Sequence, residues 1–140
     1  MGKILAIDYG LKRCGIAVTD DLRMIASPLT TVEEKVLMDF VKKQVESNRV
    51  DHVVIGLPTD LKGQDTDATQ HVKLFFDQLK NAFPDLSVNL YDERFTSGMA
   101  SKSLVEMNMK KSKRMEKGMV DQVSAAILLQ GYLESIKNQR

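Results

Sequence analysis

A single cysteine, three prolines and a charge that almost cancels are the scarcities of this 140-residue sequence. Cys14 can form no internal disulfide, and its apolar neighbours make it a small buried hydrophobe, which suits a reducing compartment. Twenty Lys and Arg oppose 19 Asp and Glu, so no global positive field draws in a nucleic acid or a membrane. Such a partner has to be held by local charge. Long apolar runs are also missing: Ala125 to Leu129 falls far short of the roughly 18 residues of a membrane span. The opening residues reach Asp8 too early for a signal peptide, and Ala6 stands where a myristoylation signal needs Ser or Thr. A cytoplasmic protein without a membrane partner is expected. What is present is ordinary globular composition, 43% hydrophobic and 28% charged. One compact domain over residues 1–140 is expected, because two halves of about 70 residues would each lack a self-sufficient core.

Short branched runs at Ile4 to Ile7 and Gly15 to Thr19, with an extended candidate at Met24 to Thr31, predict a three-strand antiparallel meander. Thr31 and Glu34 form an S/T-x-x-E capping pattern ahead of a helix whose stripe is Val36, Leu37, Phe40, Val41 and Val45. His52 to Leu57 reads as a buried strand stopped by Pro58. Ala68, Val72, Phe75, Phe76, Leu79 and Phe83 give a second helix ended by Pro84, with its apolar stripe as core. Leu86 to Tyr91 is a further strand, and Thr96 or Ser97 opens a helix carrying Ala100, Leu104 and Met107. Lys110 to Gly118 breaks all periodicity and reads as a mobile loop, and a last helix runs from about Met119 to Ile136 with Val120, Val123, Ile127 and Gly131 on one side. The order predicts an α/β domain whose five-stranded mixed sheet joins the meander to parallel crossovers, flanked by helices.

Three carboxylates stand out by position. Asp8 ends an apolar strand ahead of Gly10, and Glu93 follows the strand ending at Tyr91. In α/β sheets ligand sites gather at strand ends. Asp121 stands early in the last helix, with Ala125, Leu128 and Tyr132 at helical spacing on a largely apolar face. Each has an ordinary explanation: Asp8 accepting backbone bonds in a turn, Glu93 paired with Arg94, Asp121 favouring a helix start. Converging, they would repel one another unless a cation neutralised them, and oxygen ligands without a Cys or His cluster favour Mg²⁺ or Mn²⁺ over Zn²⁺. His52 and His71 have no ligand spacing between them and read as structural.

Asp8-Tyr9-Gly10-Leu11-Lys12-Arg13-Cys14-Gly15-Ile16-Ala17-Val18-Thr19-Asp20, Gly56-Leu57-Pro58, Asp92-Glu93-Arg94-Phe95-Thr96-Ser97, and Lys117-Gly118-Met119-Val120-Asp121 with Ala125-Ala126-Ile127-Leu128-Leu129-Gln130 resemble the YqgF family, also called RuvX. The four blocks lie in order over nearly the whole chain. The resemblance implies an RNase H-like fold with a two-metal Mg²⁺ or Mn²⁺ site, and a nuclease role in maturing the 5′ end of small-subunit (16S) ribosomal RNA. An older description of the family is Holliday junction resolvase. Its metal-binding, catalytic acids fall on Asp8, Glu93 and Asp121, the same three residues. Phe95, Ser97 and the stretch Thr59 to Gln64 depart from the family pattern and bear on substrate contacts.

The reaction implied is phosphodiester hydrolysis with two cations about 3.5 to 4 Å apart. Charge is unevenly spread, with net +1 over residues 1–50, −5 over 51–93 and +5 over 94–140. Lys110, Lys111, Lys113, Arg114 and Lys117 could grip backbone phosphates without reading sequence, or simply keep a loop solvated. Lys12 and Arg13, after Asp8, are placed for phosphate. Arg94 could orient Glu93 or meet substrate, and Thr96 and Ser97 read as helix caps. The expected partners are precursor ribosomal RNA, ribosomal particles or branched DNA, with a monomer or weak dimer in solution. A phosphotransferase is the first rival, because Asp-x-Gly before a second strand also resembles the phosphate loop of actin and sugar kinases, which close two such domains around a nucleotide. A catalytically silent module binding RNA or protein is the second.

Overall fold

The computed structural model describes the backbone of residues 2–57, 67–92 and 117–138, with side chains over 2–56, 69–91 and 122–136. Apolar, largely branched stretches form the strands β1 (Lys3–Asp8), β2 (Arg13–Thr19) and β4 (Val50–Leu57), and more polar ones form β3 (Ala26–Glu33) and β5 (Ser87–Asp92). Helix α1 (Leu37–Ser47) follows β3 through a 3-10 turn at Glu34–Val36, α2 (Asp67–Ala82) precedes β5, and α3 is Lys117–Asn138. The sheet order is β3-β2-β1-β4-β5. β2 pairs antiparallel with both β1 and β3, whereas β4 runs parallel to β1 and β5 parallel to β4. The meander and parallel crossovers of the sequence reading are therefore present. Ile7 pairs with Ile55 and Leu57 with Asp92, so β1, β4 and β5 finish at the same edge of the sheet.

Strand alternation divides the core in two. Leu5, Ile7, Ile16, Val53 and Ile55 face α1 and α2, where they meet Leu37, Val41, Val72, Phe75 and Leu79. Ile4, Ala6, Ala17, Ala26 and Val54 face α3, which contributes Val123, Ala125, Ala126, Leu128, Leu129 and Leu133.

Four local readings change. The third strand starts two residues later than Met24 and extends to Glu33, because Val32 and Glu33 pair with Cys14 and Arg13. Thr31 is therefore inside a strand and caps nothing. The helix begins at Leu37, and its N-cap position, Val36, makes no side-chain cap. Glu34 is occupied elsewhere: its N–H donates to the Lys12 carbonyl at 3.0 Å and its Oε1 accepts from the Tyr9 hydroxyl at 2.8 Å. At the other end of the chain, Lys117 and Gly118 belong to α3 rather than to a loop. That helix is also not one-sided, since Ala125, Ala126, Leu128, Leu129, Gln130 and Leu133 are all buried. The predicted helix carrying Ala100, Leu104 and Met107 and the predicted loop over 110–116 lie outside the described residues.

Among the described residues, no helix is long and apolar enough to cross a membrane. Cys14 is buried, as its neighbours implied, with its Sγ 3.5 Å from the Gly10 carbonyl.

Candidate active site

Asp8 is the last residue of β1, a strand flanked by β2 and β4 at the centre of the sheet. By alternation it continues the row of Ile4 and Ala6, the row packed against α3. It is half-buried, and its direct cross-strand neighbour is Gly15, which has no side chain. Beyond it the chain turns sharply: a Cβ on Gly10 would stand 2.4 Å from the Arg13 carbonyl oxygen, which only glycine avoids. Tyr9 points the other way and anchors the turn. Its ring packs on Phe75 with centroids 6.1 Å apart, and its hydroxyl donates to Glu34. Burial, and then the Glu34 carboxylate, push the Tyr9 pKa far up, so it stays a neutral donor. The pattern reading missed this anchor, because Tyr9 and Glu34 are 25 residues apart.

The direction of α3 follows from two contacts at its C-terminal half. Gln130 Oε1 accepts from the Ala26 N–H at 3.2 Å, and the Tyr132 hydroxyl lies 3.2 Å from His52 Nε2. Ala26 and His52 stand near the starts of β3 and β4, so the N-terminal half of α3 lies toward the edge where β1, β4 and β5 finish. Levels can be compared. Ala26 pairs with Thr19, whose Oγ1 accepts from the Ile4 N–H at 2.9 Å, which puts Gln130 level with Ile4. From Ile4 the strand rises about 13 Å to Asp8. From Gln130 the helix runs back about 13.5 Å to Asp121. Along their own axes Asp8 and the Asp121 backbone are thus about equally far from the level of Ile4 and Gln130, and α3 covers the face of the sheet that Asp8 shares.

Lys12 and Arg13 are exposed beside the turn that follows Asp8, at the same end of the sheet. Lys117 heads α3. The positions of Glu93, Arg94, Lys110, Lys111, Lys113 and Arg114 lie outside the described residues, as does the side chain of Asp121. Among the described residues, no group of three or more His, Cys, Asp or Glu side chains could hold a metal ion. His52, read as structural, has the Asn89 amide nitrogen at 2.8 Å from Nε2 and an edge-on contact with the Tyr132 ring.

The sequence model of the RuvX family, described as Holliday junction resolvase, matches residues 2–135. This chain belongs to the RuvX family. Among curated relatives, one from Phocaeicola vulgatus is 44% identical over 137 residues, covering 98% of this chain and 99% of that one. Another, from Amoebophilus asiaticus, is 45% identical over 137 residues, covering 98% and 97%. Both carry the name "Putative pre-16S rRNA nuclease". Among solved structures, Thermus thermophilus RuvC superposes with a TM-score of 0.62 at 11% identity, over 97% of this chain and 96% of that one. RuvC from the same organism in complex with a Holliday junction substrate gives 0.59 at 15% identity, over 96% of each. At these identities the likeness shows the fold, a RuvC-like RNase H fold, which is the fold the RuvX motifs implied.

Proposed function

We propose that this RuvX-family chain is a divalent-metal-dependent nuclease that hydrolyses phosphodiester bonds of precursor 16S ribosomal RNA, with Asp8, Glu93 and Asp121 as its metal ligands. The observation that carries the reading is Asp8 itself, a half-buried carboxylate at the end of the central strand, on the face of the sheet that α3 covers. The relatives named for pre-16S rRNA supply the substrate class. The donor set fits a hard cation: the three acids offer oxygen alone, Cys14 is buried in the core on the opposite face of the sheet, and His52 is engaged near the start of β4. Mg²⁺ or Mn²⁺ held there would lower the pKa of a bound water and stabilise the leaving oxygen.

The chain's own work is placement. β1, bonded on both sides, fixes the Asp8 backbone, and the Tyr9 to Glu34 bond holds the turn beyond it so that the carboxylate keeps one direction. Lys12 and Arg13 meet the phosphates flanking the scissile bond, and Arg94, Lys110, Lys111, Lys113, Arg114 and Lys117 hold the backbone further along. Contacts of this kind make binding salt-sensitive and indifferent to sequence. The substrate is met in ribosomal particles in the cytoplasm, by a protein acting as a single domain.

Cleavage of a four-way DNA junction is the second reading, favoured by the description of the family model. Symmetric cleavage needs a two-fold dimer. Precursor small-subunit RNA and a four-way junction, each incubated with wild type and Asp8→Asn in Mn²⁺ or in EDTA, separate the readings. RNA cleavage that requires both Asp8 and Mn²⁺ is the expected result. Junction cleavage by a dimer would transfer the assignment to DNA, and undiminished RNA cleavage by Asp8→Asn would end the metal-site reading.

A further inference from the structure

At the edge of the sheet opposite Asp8, three side chains from three elements meet. The Asn89 amide on β5 donates to His52 Nε2 on β4 and to the Tyr132 hydroxyl on α3, each at 2.8 Å. The Tyr132 ring stands edge-on to His52 and to Tyr91, with centroids 5.5 and 5.6 Å away. The Tyr91 hydroxyl reaches the Gly131 carbonyl at 3.5 Å. The Tyr91 and Tyr132 rings pack against the core that Leu128, Leu129 and Leu133 fill, and their hydroxyls add directional contacts at its margin.

What α3 does need is a register. It lies on Ala6, Ala17 and Ala26 and presents Ala125 and Ala126. Small residues let a helix approach a sheet closely but interlock little, so along the alanine stripe shape leaves the register to Val123, Leu128, Leu129 and Leu133 beside it. Directional contacts add to that packing. In the C-terminal half of α3 these are Gln130 on Ala26 and the Tyr132 group. Tyr132 follows Asp121 by eleven residues, close to three full turns at 3.6 residues per turn, so the two occupy nearly the same angular position on the helix. A rigid helix carries any slip or rotation at Tyr132 to Asp121, about 16 Å away.

We infer that His52, Asn89 and Tyr132 form a positioning cluster that sets the register of α3 and thereby places Asp121 for metal binding at the far edge of the sheet. This rests on the metal-ligand reading of Asp121 given above. The cluster has a proton-dependent component. An amide nitrogen only donates, so His52 Nε2 is an acceptor and the ring is neutral, with its proton on Nδ1. Burial, and then Arg23 of the β2 to β3 turn, hold the His52 pKa below its usual value, with Asp51 on β4 opposing them. Tyr132 faces it from α3 and Asn89 from β5. Protonation would set an Nε2–H against the Asn89 amide hydrogens, so the amide would have to turn its oxygen to the ring and give up its present bond to the Tyr132 hydroxyl.

The test is Mn²⁺ titration calorimetry on the full chain at about pH 8 and about pH 6, on either side of the ordinary histidine value. Wild type, Tyr132→Phe, His52→Gln and Asp121→Asn are compared, with backbone hydrogen exchange followed across α3. Tyr132→Phe keeps the ring and loses the hydroxyl, and it is expected to weaken Mn²⁺ binding about tenfold, as other groups that orient metal ligands do. It should also speed exchange in the N-terminal turns of α3, a readout independent of metal. His52→Gln keeps an acceptor that cannot be protonated, so it should lose less affinity than wild type between the two pH values. Unchanged affinity and exchange in Tyr132→Phe, with binding abolished in Asp121→Asn, would overturn the positioning role and leave the metal site standing. Full binding by Asp121→Asn would overturn the ligand reading and this inference with it.

Discussion

Under α1 and α2 the sheet presents Leu5, Ile7, Ile16, Val53 and Ile55, whereas under α3 it presents Ala6, Ala17 and Ala26 beside Ile4 and Val54. Large branched side chains interdigitate, so the first face holds its helices by shape and, among the described residues, carries the larger buried apolar cluster. The alanine face has less side-chain volume along its stripe. It gains a helix close to the strands, and it is the face on which Asp8 lies and toward which the candidate ligand helix is drawn. The difference teaches a division of labour: one side of the sheet carries stability, and the other carries geometry.

Substitutions on each side should separate along that line. Asp8→Asn, on the alanine face, is expected to lower metal-dependent cleavage about a thousandfold, the scale of the charge stabilisation a catalytic metal provides. Circular dichroism of the same variant should show an intact fold. Leu79→Ala, on the branched face, should cost about 2 to 5 kcal/mol in urea unfolding while the remaining folded protein cleaves at the normal rate. Ala17→Leu inverts the test. Crowding beneath α3 should cost about 1 to 3 kcal/mol of stability and also weaken Mn²⁺ binding, because it lifts the helix that carries Asp121. If Leu79→Ala and Ala17→Leu impaired metal binding equally, the division would fail. Tyr9→Phe removes one part-buried hydrogen bond on the branched face, and a loss of about 1 kcal/mol is expected.

The smallest effects are in pH: an acid one from His52, and alkaline ones from Tyr9 and from Tyr132, whose burial also raises its pKa. His52, beneath α3, is held below its usual pKa of 6.5, so on acidification the unfolded chain takes up the proton first. Its contribution is complete above about pH 6.5 and declines as pH falls below that value. Tyr9 is held above its usual 10.0, so the unfolded chain loses the proton first and stability declines as pH rises past that point. Thermal midpoints measured across pH should lose their acid limb in His52→Gln and part of their alkaline limb in Tyr9→Phe.

Much of this was readable before any coordinates. The runs at β1 and β4 are short, apolar and branched, α2 repeats its apolar residues at helical spacing, and both signals are local. Asp8 is a candidate in the sequence because a carboxylate closing such a run is unusual, and Asp121 because the helical period sets it in line with Ala125 and Leu128; both stay proposed ligands. The errors came from distant partners. Thr31 and Glu34 form a sound capping pair in isolation, yet β2 extends its ladder to Glu33 and Tyr9 engages the Glu34 carboxylate. Lys117 and Gly118 looked like loop because their stretch lacks apolar period, but they are the first turn of α3. The His52, Asn89 and Tyr132 cluster has no sequence signature at all, since its members are 37 and 43 residues apart.

Cys14 closes the β1 to β2 turn from beneath, fully buried and against the Gly10 carbonyl. As the one thiol in the chain, it is a built-in reporter. A thiol-reactive dye can label it only when that turn opens, so the labelling rate in native buffer measures how often the strand end bearing Asp8 comes apart. Slower labelling on addition of Mn²⁺ would register ligand binding at the neighbouring carboxylate without any nucleic acid in the tube.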